Sequence, residues 1–237
     1  MPAYVEKARP ALRRSTGLSM LFARLSRTFA RLSRSYGDSP AALSYRYLAR
    51  QIDIDLPRTG GGRTILLSSS VPAAASNEAM LMFSHALAEE LGVRILLVDG
   101  TFSAEGVGSA LGHDGATGLM DLVYDGVHDP LDAIQETPRH NISLLPAGRP
   151  RSGRPMPIPG DRVARLYEQL CGRFDYVLVQ QGSITADTRY LVSAAKADLI
   201  LVLVEEGVTP VDELDRCLEV FRSHQILGIR LVLCEPR

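Results

Sequence analysis

The sequence predicts an α/β protein built on a doubly wound, mostly parallel sheet with helices on both faces. Three observations predict it. Short apolar runs suited to strands recur along the chain, and stretches with helical spacing separate them. The run Leu199–Val204 (LILVLV) is apolar on both faces, as expected of a central parallel strand covered by helices. Strands and helices alternate throughout, the pattern of βαβ units joined by crossover helices.

Residues 1–17 are polar, basic and Pro-containing, and are expected to be disordered in isolation. Residues 18–36 differ. The words FARLSRT and FARLSRS stand back to back from Phe22 to Ser35. At 100° per residue Leu18, Leu21, Phe22, Leu25, Phe29, Leu32 and Tyr36 share one face, and Arg24, Arg27, Arg31 and Arg34 the other. This is a basic amphipathic helix. It suits an anionic membrane surface, a partner's groove, or packing on its own domain. Gly37-Asp38-Ser39-Pro40 breaks the chain, and residues 1–36 and 37–237 are read as arm and domain. A helix is expected over Ala41–Ile54, followed by the flexible link Pro57–Gly62.

The chain is organised around Thr64–Thr101. Thr64–Ser68 reads as a strand, Ser69–Ser76 as a turn-rich loop, Asn77–Leu91 as a helix ended by Gly92, and Ile95–Val98 as a strand closed by Asp99. The loop points at a helix N-terminus, where a nucleotide phosphate is ordinarily held. A phosphate loop needs glycines, a Lys for the β/γ oxygens and a Ser or Thr for Mg²⁺. This loop offers Pro72-Ala73-Ala74-Ala75-Ser76-Asn77-Glu78, without Gly or Lys.

Beyond it, Gly100–Gly118 reads as a loop, Leu119–Tyr124 and Pro130–Gln135 as short helices, and Ile142–Leu145 as a strand. Arg149–Pro159 is a Pro- and Arg-rich surface loop. Helices are expected over Asp161–Cys171, Asp187–Ala195 and Val211–His224, and strands over Phe174–Val179, Leu199–Val204 and Ile229–Leu233.

The charge is uneven. Residues 1–36 hold eight basic side chains and one acid, a balance of +7, which leaves −8 for the rest of a chain of net charge −1. A basic arm on an acidic body without a recognisable reading module argues against nucleic-acid binding. Cys171, Cys217 and Cys234 show no metal-ligand spacing and read as reduced thiols of a cytosolic protein. No histidine cluster suggests a metal, and His85 reads as structural. No apolar run reaches the roughly 20 residues that span a bilayer, and the N-terminus lacks a signal-peptide core.

In order and spacing, LGVRILLVDG, GLMDLVYDG, ISLLPAGRP, RFDYVLVQQG and KADLILVLVEEGVTPVDEL resemble the cytoplasmic domain of the bacterial tyrosine kinases of capsule and exopolysaccharide synthesis (CpsD/CapB-type). These belong to the MinD/ParA-like P-loop ATPases. The resemblance covers about residues 41–235. Anchored on Pro72, it implies that Ser76 stands at the phosphate-binding Lys position and Asn77 at the Mg²⁺-binding Ser/Thr. Anchored on Asp99, it puts Asn77 at the Lys position. Asp99 keeps the first acid of the family's Asp-Ala-Asp and Thr101 replaces the second. Gln180 stands where the family has its Walker B Asp. Pro72, Ser76, Asn77, Asp99 and Gln180 are thus vestigial nucleotide-site positions. Asp99 also reads as a strand-end acid held by backbone N–H groups. Of the family's Glu-x-x-Arg-x-x-Arg oligomerisation motif, Arg46 keeps the middle position, Leu43 and Ala49 replace the others, and Arg50 lies one residue on.

The reading that follows has no catalytic residue, no metal and no cofactor, although ATP with Mg²⁺ is what the family binds. It is a catalytically inactive, cytoplasmic scaffold or regulator of exopolysaccharide, capsule or adhesin synthesis. It would partner a membrane polysaccharide co-polymerase or export protein, peripherally at the inner membrane, with homo-oligomerisation open. A weak or atypical ATP-binding kinase or ATPase, and a MinD-like or cellulose-synthesis-type positioning protein, are the alternatives.

Overall fold

The structure, a computed structural model, describes residues 40–69, 73–103, 105–126, 129–149 and 157–234. The amphipathic stretch with Phe22, Arg24, Leu25, Arg27, Phe29, Arg31, Leu32 and Arg34 lies outside the described residues, as does Pro72.

The described elements run α1 (Pro40–Asp55), β1 (Arg63–Ser69), α2 (Ala73–Leu91), β2 (Ile95–Asp99), α3 (Val107–Ala110), α4 (Leu119–Asp125), a 3₁₀ turn (Pro130–Ala133), β3 (Gln135–Glu136), β4 (Ile142–Leu145), α5 (Gly160–Cys171), β5 (Tyr176–Gln181), α6 (Tyr190–Ala194), β6 (Leu199–Glu205), α7 (Val211–Ser223) and β7 (Ile229–Cys234). The strands form one sheet in the order β3-β4-β2-β5-β1-β6-β7. All pairings are parallel except β3 with β4.

Period-two alternation splits the core into two layers. Ile65, Leu67, Ile95, Leu97, Tyr176, Leu178 and Leu201 point to the layer with α2. Leu66, Leu96, Val98, Val177, Val179, Ile200 and Val202 point to the layer with α5 and α7, where Val163, Leu166, Leu170 and Phe221 meet them. Both faces of the inner strands are therefore dry, as the LILVLV run suggests. That run is not central, however: β6 lies next to the edge strand, and β5 and β1 hold the middle.

Helix α2 is buried on all sides over Ala79–Ala88. A single amphipathic stripe could not account for this. The reason is α1, whose Ala42, Ala49 and Ile52 join the same cluster from outside and form a third layer.

The structure corrects several boundaries. Helix α2 begins at Ala73, not Asn77, so Ser76 lies within the helix and not in a loop before it, and Asn77 is not its first residue. Gly100–Gly118 contains α3. The helix expected over Pro130–Gln135 is a 3₁₀ turn that ends at Ala133, and Gln135 begins the antiparallel edge strand. Helix α6 is shorter than Asp187–Ala195. β5 runs on through Gln180 and Gln181, which keep register with Asp99 and with Leu67 and Ser68.

Candidate functional site

The C-terminal ends of β1, β2 and β5 converge beside the start of α2, the end of a parallel α/β sheet at which ligands are usually held. Four of the five nucleotide-site positions read from the sequence meet there. The side chains of Ser76 and Asn77 both bond that of Gln180, whereas Asp99 bonds Thr101 and Gly108.

Gln180 is the hub. It is 2% exposed. Its Nε2 donates to Ser76 Oγ at 3.0 Å and to Asn77 Oδ1 at 2.7 Å. Its Oε1 accepts from the Val107 N–H at 2.7 Å. The primary amide thus uses both donors and an acceptor, joining α2, β5 and α3 through one side chain. Asn77 adds a second tie, its Nδ2 donating to the Glu105 carbonyl at 2.9 Å.

Asp99 is buried as deeply, at 1% exposure. Its Oδ1 accepts from the Thr101 N–H at 3.1 Å and from Thr101 Oγ1 at 2.8 Å. Its Oδ2 accepts from the Gly108 N–H at 2.8 Å, at the open start of α3. Of the two readings of Asp99, the geometry is that of a strand-end acid held by backbone N–H groups. Burial pushes its pKa up, and the bonds from Thr101 and Gly108 oppose the shift. Glycine is required where α3 sits on this carboxylate. A Cβ on Gly106 would lie 2.2 Å from both Asp99 oxygens, and one on Gly108 2.9 Å from Oδ2.

Thr101 and Phe102 are pinned further. The Tyr190 hydroxyl donates to the Thr101 carbonyl. Phe102, at φ 52°, stacks on Tyr190 with ring centroids 5.1 Å apart. The Arg189 guanidinium lies over the Phe102 ring at 4.4 Å and is held by Asp187.

This donor set bears on the cofactor that the resemblance implies. A Mg²⁺-nucleotide site needs carboxylate and hydroxyl oxygens around a hard cation and cationic donors on the phosphates. Here an NH₂ group is aimed at the Ser76 and Asn77 oxygens, and the one carboxylate already accepts three hydrogen bonds. Lys7 and Lys196 are the chain's two lysines, and Lys196 precedes β6, at the opposite end of the strands. The residues present do not fit the group. Among the described residues no cluster of three or more His, Cys, Asp or Glu side chains could hold a metal ion.

A cavity of about 540 Å³ opens at that opposite end, between Asp53, Arg58, Gly61, Arg94, Phe174 and Asp175. Its charges cancel locally: Arg58 pairs with Asp53 and Asp175, and Arg94 with Asp175. Arg46 and Arg50, read as oligomerisation candidates, form ion pairs within the chain, with Glu89 and Glu90 of α2 and with Glu90. Sequence reasoning missed Val107 and Gly108, backbone partners without a side-chain signal, and the Phe102–Tyr190 stack, which two distant segments form. Cys171, Cys217 and Cys234 are free thiols, as expected. No described helix is long and apolar enough to cross a membrane.

No protein-family profile matches the chain. Over 153 residues it is 29% identical to the succinoglycan biosynthesis transport protein ExoP of Rhizobium meliloti (strain 1021), a match that takes in 62% of this chain. The same match spans only 19% of ExoP. The BceF tyrosine kinase domain shares the fold with a TM-score of 0.67 at 20% identity, covering 92% of this chain and 89% of that one. The MinD cell division protein of Aquifex aeolicus gives 0.57 at 19% identity, over 73% of this chain and 69% of that one. The likeness first read from LGVRILLVDG and RFDYVLVQQG is thus borne out: the chain has the fold that bacterial tyrosine kinase domains share with the MinD cell division protein, and it resembles ExoP in sequence.

Proposed function

We propose that this chain is a catalytically silent counterpart of the polysaccharide tyrosine kinase domains, serving exopolysaccharide synthesis and export as a scaffold or regulator. The likeness to ExoP, a succinoglycan biosynthesis transport protein, supports the pathway class. A membrane polysaccharide co-polymerase or export protein is the partner this reading expects. The basic stretch 18–36 is the element that would hold the domain to that partner or to anionic lipid.

The observation that carries the reading is the Gln180 amide, which ties Ser76, Asn77 and Val107 together. Phosphoryl transfer rests on positioning and on neutralising phosphate charge. A neutral amide at the Walker B position, with no Lys beside it, supplies neither. The test is calorimetric titration of the full chain with ATP and with ADP, with and without Mg²⁺. The reading expects no heat of binding at millimolar nucleotide. Micromolar binding that depends on Mg²⁺ would overturn it and favour an atypical ATP-binding enzyme built on Asp99.

A further inference from the structure

Strand β7 closes one side of the sheet, and its outer edge has no described neighbour. The carbonyls of Gly228 and Cys234 accept from Ile200 and Glu206, on the β6 side. Backbone groups alternate along a strand. Those of Arg230 and Val232 therefore face β6 as well, and those of Ile229, Leu231 and Leu233 face outward.

The side chains reinforce this. Leu231 and Leu233 are 51% and 65% exposed. Leu231 is in register with Val202, which puts it on the sheet face that α5 and α7 cover farther in. Ile229 packs at the rim of the same cluster. Native edges are usually protected by Lys, Pro, bulges or inward charges. IRLVLC has no Lys, Pro, Asp or Glu, and its one charge, Arg230, is neutralised by Asp55 at 2.5 Å.

We infer that β7 is a homodimer edge, at which a second copy of this chain pairs antiparallel to continue the sheet. The strand is self-complementary about Leu231. A two-fold axis through that residue, perpendicular to the sheet, sets Leu231 opposite Leu231 of the second copy. Ile229 then lies opposite Leu233 of the second copy, and the reciprocal pair follows. Every outward N–H and C=O from Ile229 to Leu233 finds a partner, and the exposed leucines meet on one face. Arg230 falls opposite Val232, so no like charges face each other. A strongly charged partner strand would find no counter-charge on this edge, whereas a second neutral, apolar edge matches it.

The test uses the full chain. Sedimentation equilibrium across the micromolar range should show a monomer–dimer equilibrium. Leu231→Lys sets two ammonium groups directly opposite each other and should weaken it by roughly tenfold or more. The exposed site should keep the circular dichroism spectrum unchanged, and the melting temperature too at dilutions where both proteins are monomeric. In a Cys234→Ser background, Leu231→Cys should form an oxidative dimer readily, because hydrogen-bonded antiparallel pairs place Cα atoms about 5.5 Å apart, within disulfide reach. Leu227→Cys, exposed but off the edge, should not cross-link. A chain that stays monomeric, a dimer indifferent to Leu231→Lys, or equal cross-linking at both cysteines would each overturn the inference.

Discussion

Replacing Gln180 with Glu tests the site at its hub with almost no change in shape. The amide NH₂ that donates to Ser76 Oγ and Asn77 Oδ1 becomes a second acceptor oxygen. Ser76 can answer by rotating its hydroxyl. Asn77 can answer only by turning its own NH₂ inward, which gives up its bond to the Glu105 carbonyl. One lost hydrogen bond costs about 1 kcal/mol. The larger effect is charge. The new carboxylate is as buried as Gln180 and lies in register with Asp99, itself a buried acid. Burial and the like charge should raise its pKa by about two units, which is about 2.7 kcal/mol at neutral pH. The total is about 4 kcal/mol, or a loss of about 1.5 M in the urea midpoint for a domain of this size. The sign with pH is defined. A folded-state pKa raised above the unfolded value leaves the variant unpenalised below that unfolded value, about 4.3, with stability lost as pH rises through the folded pKa. Urea melts of variant and wild type at pH 7.5 and pH 5 should therefore converge in acid. A variant as stable as wild type at neutral pH would refute this reasoning. A loss erased by added Mg²⁺ would refute it more informatively, since it would reveal a cation site lacking only its carboxylate.

Two further perturbations follow from the same geometry. Gly106→Ala drives a methyl into the Asp99 carboxylate and should destabilise the domain by about 2–4 kcal/mol. In an Asp99→Ala background it should be much cheaper, and a double-mutant cycle with no coupling would show that α3 is not seated on Asp99. His85 is buried on α2, with its Nε2 3.0 Å from Arg139 Nη2 and 3.1 Å from Glu89 Oε1. Burial, then the charge of Arg139, lowers its pKa, against the opposing pull of Glu89. The folded protein then resists a proton that the unfolded chain accepts near pH 6.5, so His85's contribution is complete above that pH and fades as pH falls below it. His85→Gln should reduce the slope of stability between pH 7 and pH 5, leaving that of His113, whose pKa burial also lowers. An unchanged slope would place the titrating group elsewhere.

How much of this was legible in the sequence depends on where each signal sits. The sheet was legible because its strands are apolar runs long enough to stand out, and Ile142–Leu145 was read to the residue. The ends were less so. β5 seemed to stop at Val179 because Gln180 and Gln181 are polar, and only pairing with β1 and β2 carries the strand onward. The start of α2 was misplaced because Ala73–Ala75 occupy positions where a phosphate loop would be expected. Three alanines are strong helix formers, and with a Pro just before them they favour a helix start. Helix α3 carried no periodic signal at four residues, and its position depends on Asp99 and Gln180, far away in sequence. That Ser76, Asn77, Asp99 and Gln180 gather at one end of the sheet was therefore readable, while the hydrogen bonds each makes there were not. Hydrogen-bond partners chosen by tertiary approach leave no pattern along the chain.

That bonding changes what the fold can do as a switch. A ligand moves a protein between states only through a difference in its affinity for them. Where a Mg²⁺-nucleotide bridges the start of α2 to the ends of β2 and β5, its arrival and loss can separate those elements. Here the Gln180 amide makes the bridge, Asn77 doubles it through Glu105, and Asp99 holds α3 from the other side. Each link is part of the chain and is present in every molecule. On the proposed reading, the surface around Glu105–Ala110 is then constant, suited to being recognised and not to reporting nucleotide. Control would have to come from assembly, and Gln180→Glu separates the two cases. If weakening the bridge leaves partner capture by the full chain unchanged at temperatures where the variant is folded, the recognised surface lies elsewhere. If capture falls in step with the loss of α3 order, measured by amide exchange at Val107 and Gly108, the amide-held surface is the docking face.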